Sequence, residues 1–510
     1  MNIKMGTARD EVITICLNDT VEKDSVVRLI DAFVDALDLE ALGFTKTKPK
    51  KEGCPIYHAK DMLKLFYYGY INGIRVSRKL EAECVRNIEV RWLICQLEPG
   101  YHTIADFRKD NPKALKEAFK MLVSFLKHED AFGKELLAQD GTKIRALNNK
   151  RNNYNEEKLQ KHLKHIEGKE EQYIKEFEHF DKQEDIQFAL IEARKKEIEE
   201  KQQTQQQRKE KYEGLQQQLR ESGEPQISTV DSDSRSLSIK DRITDVCFNV
   251  QAVVDSKYCL VVELETVNTT DQGQLCPMLT KAMEILGVKE ITALADAGYN
   301  VGKDLQDCKE QGITTLVAPV ERNNAEIDPA YQRSEFTYDK EQDCYTCPQG
   351  AILSTNGKEY EKKKKGRATY CVKKYVTDLC LLCVARTLCT KAKSREIERS
   401  QYQDVVDENN KRVYENRGLY KLRQQIIEHI FGTIKRSWGY TYTLLKGIEK
   451  VNGEMAIIFT MYNIRRSVSI FGVEELINRL KSWKPEYKAE KSAFLRFIRL
   501  YETYRQLTAA

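Results

Sequence analysis

Apolar residues recur at helical spacing throughout the first part of the chain. The clearest examples run from Ser25 to Leu42, from His58 to Ile71 and from Lys113 to Leu126. Residues three and four positions apart share one face of a helix, so this spacing predicts amphipathic helices that pack together. No alternating strand pattern interrupts them. We therefore expect a helical N-terminal domain over residues 1–130.

A short break within this region separates two of the predicted helices. Gly73 ends one of them, and Ser77 can cap the next, which gives a turn of helix-turn-helix length. Arg75, Arg78 and Lys79 lie at the start of the second helix. The arrangement predicts a DNA-binding helix. A basic cap on a helix bundle is the alternative.

β-Branched residues replace the helical pattern after Gly133. The segment KELLAQDGTKIRA predicts a strand with Asp140 near its end, and DVCFNVQAVVD with YCLVVELETV predicts a hairpin. A helix from about Gln272 to Leu286, a strand that ends in Asp296, another helix and the strand TTLVAPV follow. This order is similar to that of a ribonuclease-H-like α/β core, with acids at the ends of the first and fourth strands.

A Lys, Glu and Gln-rich stretch interrupts that core between Asn153 and about Ser222. It contains few helix breakers, and one helix of this length would span about 100 Å. We therefore expect a long antiparallel coiled-coil hairpin that turns between Phe180 and Asp185. Its predicted role is spacing or dimerisation.

The net charge of +5 is unevenly distributed. Residues 361–399 contain 12 Lys and Arg against 4 Asp and Glu, and residues 411–450 contain 9 against 3, so the remainder is acidic. Such segregation indicates a polyanionic partner at the basic stretches. No apolar run approaches the ~18 residues of a membrane span, and the N-terminus lacks an apolar signal core, which predicts a soluble, unexported protein without a membrane partner.

One acid lies within an apolar and basic helical pattern in the second basic stretch. Glu428 is at the edge of a face that includes Ile427 and Ile430, and Lys435 follows seven residues later. A carboxylate there can coordinate a cation, and a lysine about 10 Å along the helix can hold a phosphate. A solvated Glu beside a Lys is the alternative.

Tyr420, Arg423, Glu428 and Lys435 resemble the Y-R-E-K signature of the DDE transposases encoded by bacterial insertion sequences. Four residues rather than three separate the Arg from the Glu, as in the Cys-containing branch of that group. The resemblance implies that three of these side chains contact DNA: Tyr420, Arg423 and Lys435.

Two further blocks resemble the same branch in order and spacing. They are AQDGTKIRA around Asp140 and LADAGYN around Asp296. The resemblance implies that Asp140, Asp296 and Glu428 are the catalytic acids and that they hold two Mg²⁺ or Mn²⁺ ions. Two such ions supply a nucleophile and stabilise the leaving oxygen in phosphodiester chemistry.

Six cysteines lie between Asp296 and the Glu428 helix: Cys344, Cys347, Cys371, Cys380, Cys383 and Cys389. Two CxxC pairs can chelate one structural Zn²⁺ from two knuckles. By geometry alone, the ligands can be Cys344, Cys347, Cys380 and Cys383. The resemblance instead favours Cys347, Cys380, Cys383 and Cys389. Unmetallated thiols in a basic loop are the alternative.

The predicted architecture is an α/β protein with a ribonuclease-H-like catalytic core, a helical N-terminal DNA-binding domain, a coiled-coil insertion and a Cys-rich zinc-binding insertion. The predicted boundaries are 1–130 (helical domain), 131–152 and 226–330 (core), 153–225 (coiled coil), 331–400 (Cys-rich), 401–470 (Glu helix) and 471–510 (helical tail). The resemblance implies a transposase that binds transposon ends, cleaves them and transfers the strands to target DNA. We expect a homodimer on double-stranded DNA in the bacterial cytoplasm, associated with the nucleoid. A metal-dependent nuclease of the same fold and a catalytically inactive DNA-binding protein are the alternatives.

Overall fold

The computed structural model describes residues 10, 14–48, 55–181, 188–240, 243–320, 326–363 and 369–487. The N-terminal helices are α1 (Leu17–Thr20), α2 (Val26–Ala36), α3 (Ala59–Ile71), α4 (Ser77–Arg86), α5 (Ile88–Leu93), α6 (Tyr101–Asp110) and α7 (Pro112–His128). The predicted helical N-terminal region is confirmed. A Cβ atom at Gly69 would lie 2.5 Å from Leu80, so this glycine lets α3 and α4 approach closely. None of the described helices is long and apolar enough to cross a membrane.

The strands up to residue 317 are β1 (Leu136–Arg145), β2 (Asn153–Tyr154), β3 (Ile227–Ser228), β4 (Arg235–Lys240), β5 (Ile243–Asp255), β6 (Leu260–Val267), β7 (Ile291–Ala295) and β8 (Ile313–Val317). Six of them form one sheet in the order β4-β5-β1-β7-β8, and β6 also pairs with β5. The β5 strand is antiparallel to β1, β4 and β6, whereas β7 is parallel to both β1 and β8. The sheet is therefore mixed, and β1 joins its antiparallel half to its parallel half.

Two long helices lie between β2 and β3: α8 (Glu156–Asp181) and α9 (Phe188–Ser222). They run antiparallel, because Gln216 donates a 2.8 Å hydrogen bond to Glu156 near one end and Arg194 pairs with Glu176 at 2.8 Å near the other. The turn predicted between Phe180 and Asp185 lies largely outside the described residues.

Helices α10 (Leu275–Leu286) and α11 (Gly302–Glu310) connect β6 to β7 and β7 to β8. Leu279 and Ala282 of α10 and Leu305 of α11 are fully buried in the same hydrophobic core as the sheet. The two helices therefore cover the sheet and fix the loops that follow β6 and β7.

The Cys-rich segment forms a second sheet of five antiparallel strands, in sequence order: β9 (Thr337–Asp339), β10 (Cys344–Thr346), β11 (Ile352–Lys362), β12 (Tyr370–Val376) and β13 (Ile397–Ser400). Tyr345, Leu353 and Tyr375 are buried in a small core of its own. A short helix, α12 (Arg386–Cys389), lies between β12 and β13. This segment thus has its own hydrophobic core, separate from that of the main sheet.

The chain ends in helices α13 (Gln403–Glu415), α14 (Arg417–Gly432), α15 (Ile448–Phe471) and α16 (Val473–Ser482), with a π-helical turn at Thr433–Ser437. Two of these helices protect the edges of the main sheet. The Asn463 side chain on α15 bonds both backbone groups of Val261 on β6, at 2.9 Å each. On the opposite edge, Asn409 on α13 bonds both backbone groups of Val317 on β8, at 3.0 and 2.7 Å. The backbone groups of Val261 and Val317 are thereby unavailable to a further strand.

Candidate functional site

Two acids lie side by side where β1 and β7 part. Gln139 of β1 pairs with Ala295 of β7, and the next residue of each chain segment is Asp140 and Asp296. Both strands run in the same direction, so their side chains meet at one end of the parallel ladder. We call these two residues the aspartate pair.

The environment of Asp140 disfavours its negative charge. Its side chain is 24% exposed. Burial raises the pKa of its carboxyl to about 6, with smaller contributions from the charges of Asp296 and Asp271, while Arg423 opposes the shift. A nearby cation would stabilise the ionised form of such a carboxyl group.

Helix α14 packs over β1 and brings Arg423 and Tyr420 to the aspartate pair. Arg423 Nη1 lies 3.3 Å from Asp140 Oδ2. The Arg423 guanidinium is also 6.0 Å from the centre of the Tyr420 ring. Burial raises the pKa of the Tyr420 hydroxyl, and the charges of Asp296 and Asp140 raise it further. The structure therefore brings four of the predicted site residues together.

Glu428 lies apart from this group. Its side chain is exposed and accepts a 2.8 Å hydrogen bond from Gln424. It follows Arg423 by five residues, which turns it about 140° around a regular helix. Among the described residues, no three His, Cys, Asp or Glu side chains are grouped so that they could hold a metal ion. The structure thus places Glu428 outside the aspartate pair.

Lys435 lies in the π-helical turn and faces β1. Its Nζ donates a 2.8 Å hydrogen bond to the carbonyl oxygen of Lys143. Burial lowers the pKa of its ammonium group, and the nearby Lys143 also lowers it. Lys435 is therefore close to the strand that carries Asp140. Its charge is partly withdrawn from solvent.

Asp271, which no sequence motif indicated, also lies at this site. It occupies the loop between β6 and α10, and its Oδ2 lies 2.8 Å from Lys143 Nζ. Its charge contributes to the raised pKa of Asp140. In the sequence it is one acid in a polar loop, and nothing local relates it to Asp140.

The prediction that Arg75 contacts DNA is wrong, because its side chain is buried. Its Nη1 donates a 2.8 Å hydrogen bond to the Tyr442 carbonyl oxygen and lies 3.5 Å from Glu454 Oε1. Its guanidinium also packs against the Tyr440 ring at 4.5 Å. It is therefore held inside the protein and is not available to a DNA phosphate.

The other two predicted DNA contacts of the N-terminal region are exposed on α4. Arg78 and Lys79 both face solvent. The Arg78 guanidinium lies 4.8 Å from the centre of the Tyr101 ring, which orients it without burying it. Both cations are accessible to a polyanion.

Four cysteines of the second sheet line one small cavity: Cys347, Cys380, Cys383 and Cys389. Burial raises the pKa of the Cys389 thiol, and nearby Cys380, Cys347 and Cys383 contribute to the shift. Cys344 is buried in β10 and does not line the cavity. Of the two predicted ligand sets, only the one that includes Cys389 lines a single cavity.

Residues 15–110 match the family described as "Transposase domain (DUF772)". Residues 346–468 match the family described as "Transposase DDE domain". No curated protein and no solved structure matches the chain. The two matches confirm the predicted resemblance to DDE-type transposases of insertion sequences. The second match contains Tyr420, Arg423, Glu428 and Lys435, whereas the aspartate pair lies outside both.

Proposed function

We propose that this chain, as a DDE-type transposase, binds transposon-end DNA, cleaves it and transfers the strands to target DNA. The observation that carries the proposal is the aspartate pair, which lies beneath the helix that presents Tyr420 and Arg423. Sequence segments far apart in the chain thus supply acids and cations to one place. Phosphodiester transfer needs both, because acids bind the metal and cations hold the phosphates.

The main sheet supports a ribonuclease-H-like core for this function. Its antiparallel strands β1, β5 and β6 precede the parallel strands β7 and β8, and the two aspartates end the ladder between β1 and β7. The α8–α9 pair lies between β2 and β3, which pair with each other outside this sheet, and would be the coiled-coil insertion. We propose that a second copy of the chain completes the assembly, because two transposon ends must be paired.

The aspartate pair fits a divalent metal ion. Its donors are carboxylate oxygens, which Mg²⁺ prefers, and the burial and neighbouring acids that raise the pKa of Asp140 support a cation there. Mg²⁺ or Mn²⁺, as two ions, would supply an activated nucleophile and stabilise the leaving oxygen. Glu428 is the proposed third ligand on the resemblance alone. To join the pair, its exposed side chain would have to leave Gln424 and approach the two aspartates.

The remaining side chains would bind and orient DNA. Arg423 pairs with Asp140 and would transfer to a DNA phosphate when a metal ion takes over the carboxylate. Lys435 would hold the phosphate near the scissile bond, and Tyr420 would stack on or position the DNA end. On α4, Arg78 and Lys79 would contact the phosphates of the transposon end.

A structural zinc ion in the second sheet completes the proposal. Cys347, Cys380, Cys383 and Cys389 are the proposed ligands, because they line one cavity and come from two knuckles. Thiolates are the donors that Zn²⁺ prefers, although these four are not yet grouped closely enough to hold an ion and would have to close around it. The ion would fix the loop between β12 and β13.

The test uses the full-length protein and a supercoiled plasmid that carries the inverted repeats flanking its gene. Paired end cleavage and joining in Mg²⁺ is the expected result, and Asp140→Asn and Asp296→Asn should abolish it while DNA binding persists. Asp245→Asn is the matched control, because Asp245 pairs with Arg145 at 2.8 Å at the far end of β1. Unspecific nicking would indicate a nuclease, and binding without cleavage would indicate an inactive DNA-binding protein. Cleavage by either active-site variant within about tenfold of wild type would overturn the metal site.

A further inference from the structure

Asp271 holds together three side chains that surround the strand of Asp140. Its Oδ1 accepts hydrogen bonds from Asn249 Nδ2 and Gln251 Nε2, both at 2.9 Å. Its Oδ2 accepts one from Lys143 Nζ at 2.8 Å. Asn249 and Gln251 are fully buried on β5, next to β1. These hydrogen bonds connect the loop before α10 to strands β1 and β5.

This cluster packs directly against the residue that follows Asp140. A Cβ atom at Gly141 would lie 2.3 Å from Asp271 Oδ1, 2.3 Å from Gln251 Nε2 and 2.7 Å from Asn249 Oδ1. No side chain fits there without displacing the cluster. The side chains that hydrogen-bond to the Asp271 carboxylate therefore fix the position of the backbone that carries Asp140.

The same cluster also reaches the second aspartate. A Cβ atom at Gly298 would lie 3.5 Å from Asp271 Oδ2. Tyr299 is fully buried, and its hydroxyl donates a hydrogen bond to Gln251. Gly298 and Tyr299 belong to the 3-10 turn that Asp296 caps. One carboxylate thus supports the backbone at both members of the aspartate pair.

We propose that Asp271 is a positioning residue that fixes the spacing of Asp140 and Asp296 so that the pair can bind a divalent cation. It acts through Lys143, Asn249 and Gln251. Side chains that support metal ligands commonly change metal affinity or activity by about 10–100-fold when they are removed. The cleavage measurement that tests this role rests on the proposed function, whereas the measurement of Mn²⁺ binding does not.

The experiment measures Mn²⁺ binding to the full-length protein by titration calorimetry without DNA, together with the melting temperature and end cleavage. Asp271→Ala should weaken Mn²⁺ binding and cleavage by about tenfold or more. Asp271→Asn should have a smaller effect, because its amide oxygen still accepts from Asn249 and Gln251. Lys143→Gln in the Asp271→Asn background should recover part of the loss, because it removes the unpaired ammonium.

Gly141→Ala tests the same contact from the other side. Its added methyl group meets the Asp271 carboxylate and should weaken Mn²⁺ binding although no charge changes. Asp245→Asn is again the control, since the side chains of Asp245 and Asp271 are both 22% exposed and both pair with a cation on β1. It should bind Mn²⁺ as wild type does.

Two results would overturn the inference. One is a lower melting temperature in the Asp271 variants with Mn²⁺ affinity and cleavage unchanged, which would make the residue merely structural. The other is wild-type protein that binds no Mn²⁺. If wild type binds Mn²⁺ but does not cleave end DNA, the proposed function fails. The Mn²⁺ affinities of the variants then still decide the role of Asp271.

Discussion

At the residue scale, Asp140 combines burial with an excess of nearby acids. Burial and the charges of Asp296 and Asp271 raise the pKa of its carboxyl to about 6, although Arg423 lies 3.3 Å away. A single guanidinium therefore does not neutralise the site. Burial of the ionised carboxylate lowers the free energy of unfolding. A bound divalent cation would offset this loss of stability.

Asp140→Asn should make the metal-free protein more stable at neutral pH. The folded-state pKa of about 6 exceeds the ordinary 3.8, so wild type loses stability as the pH rises from about 4 to above 6. The variant escapes this loss, which amounts to roughly 1–3 kcal/mol at full ionisation. Thermal melting in EDTA across this pH range measures the difference. It should be small near pH 4 and grow to a plateau.

Asp343→Asn provides a control of opposite sign. The Tyr375 hydroxyl, together with Lys373, lowers the pKa of the Asp343 carboxyl to about 2. That carboxylate therefore contributes stability above pH 4, and its loss should destabilise the second sheet there. An Asp140→Asn variant that melts below wild type at pH 7 would contradict the unfavourable environment inferred for Asp140.

Substitution by glutamine should affect cleavage at Glu428 but stability at Glu454. Glu454 is fully buried, accepts a 2.9 Å hydrogen bond from Leu444 N and lies 3.5 Å from Arg75. Glu454→Gln leaves the buried Arg75 guanidinium without a carboxylate partner and should cost about 3–5 kcal/mol of stability. Glu428→Gln should leave the melting temperature unchanged, because Glu428 is exposed, and should abolish cleavage. Chemical denaturation and end cleavage of both variants measure the two effects, and the reverse outcome would overturn the assignment of Glu428.

At the element scale, the sequence predicted the order of core elements well because each has a clear period or composition. The hairpin of β5 and β6, the helix α10 and the strand predicted to end in Asp296, which ends at Ala295, lie within a few residues of where their patterns indicated. Asp140 was predicted near the end of its strand but lies in the middle of β1. The sequence pattern could not predict which side chains of α14, or which residues near the start of α4, face the rest of the protein. Periodicity gives a face of a helix, but only packing decides that Arg423 meets Asp140 and that Arg75 turns inward. Asp271 was missed for the same reason, since its partners come from β1 and β5.

The two zinc hypotheses can be separated by one pair of variants. Cys347→Ser should lower the zinc content and the stability of the second sheet, because Cys347 lines the cavity with the other three thiols. Cys344→Ser is the matched control, since Cys344 lies on adjacent β10 but outside that cavity. Elemental analysis and limited proteolysis of both proteins measure the outcome. Zinc that disappears with Cys344 and persists without Cys347 would favour the other ligand set.

At the scale of the whole molecule, the described N-terminal helices share one hydrophobic core with the rest of the protein. Buried residues of α2, α3 and α7 form one continuous hydrophobic cluster with the main sheet and with α15 and α16. The Tyr440 hydroxyl also donates a hydrogen bond to the Tyr70 carbonyl oxygen. Local sequence patterns could suggest a boundary near residue 130, but they carry no information about this shared core. The exposed cations of α4, which are the proposed DNA contacts, thus belong to a domain that shares its hydrophobic core with the strands of the aspartate pair.

Gly453 tests this coupling, because at this residue α15 approaches the start of α7 closely. A Cβ atom there would lie 2.6 Å from Pro112 Cα and 2.9 Å from the Pro112 carbonyl oxygen, so backbone must move. Gly453→Ala should therefore destabilise the protein by about 2 kcal/mol, although alanine is the better helix former. In contrast, Gly418→Ala on α14 meets no described atom beyond its own helical backbone within 4 Å and should stabilise the protein by up to about 1 kcal/mol. Because the core is shared, hydrogen exchange in Gly453→Ala should rise in α2 and α3 as well as in α15. Faster exchange confined to α15 would show that the N-terminal helices fold independently of the core.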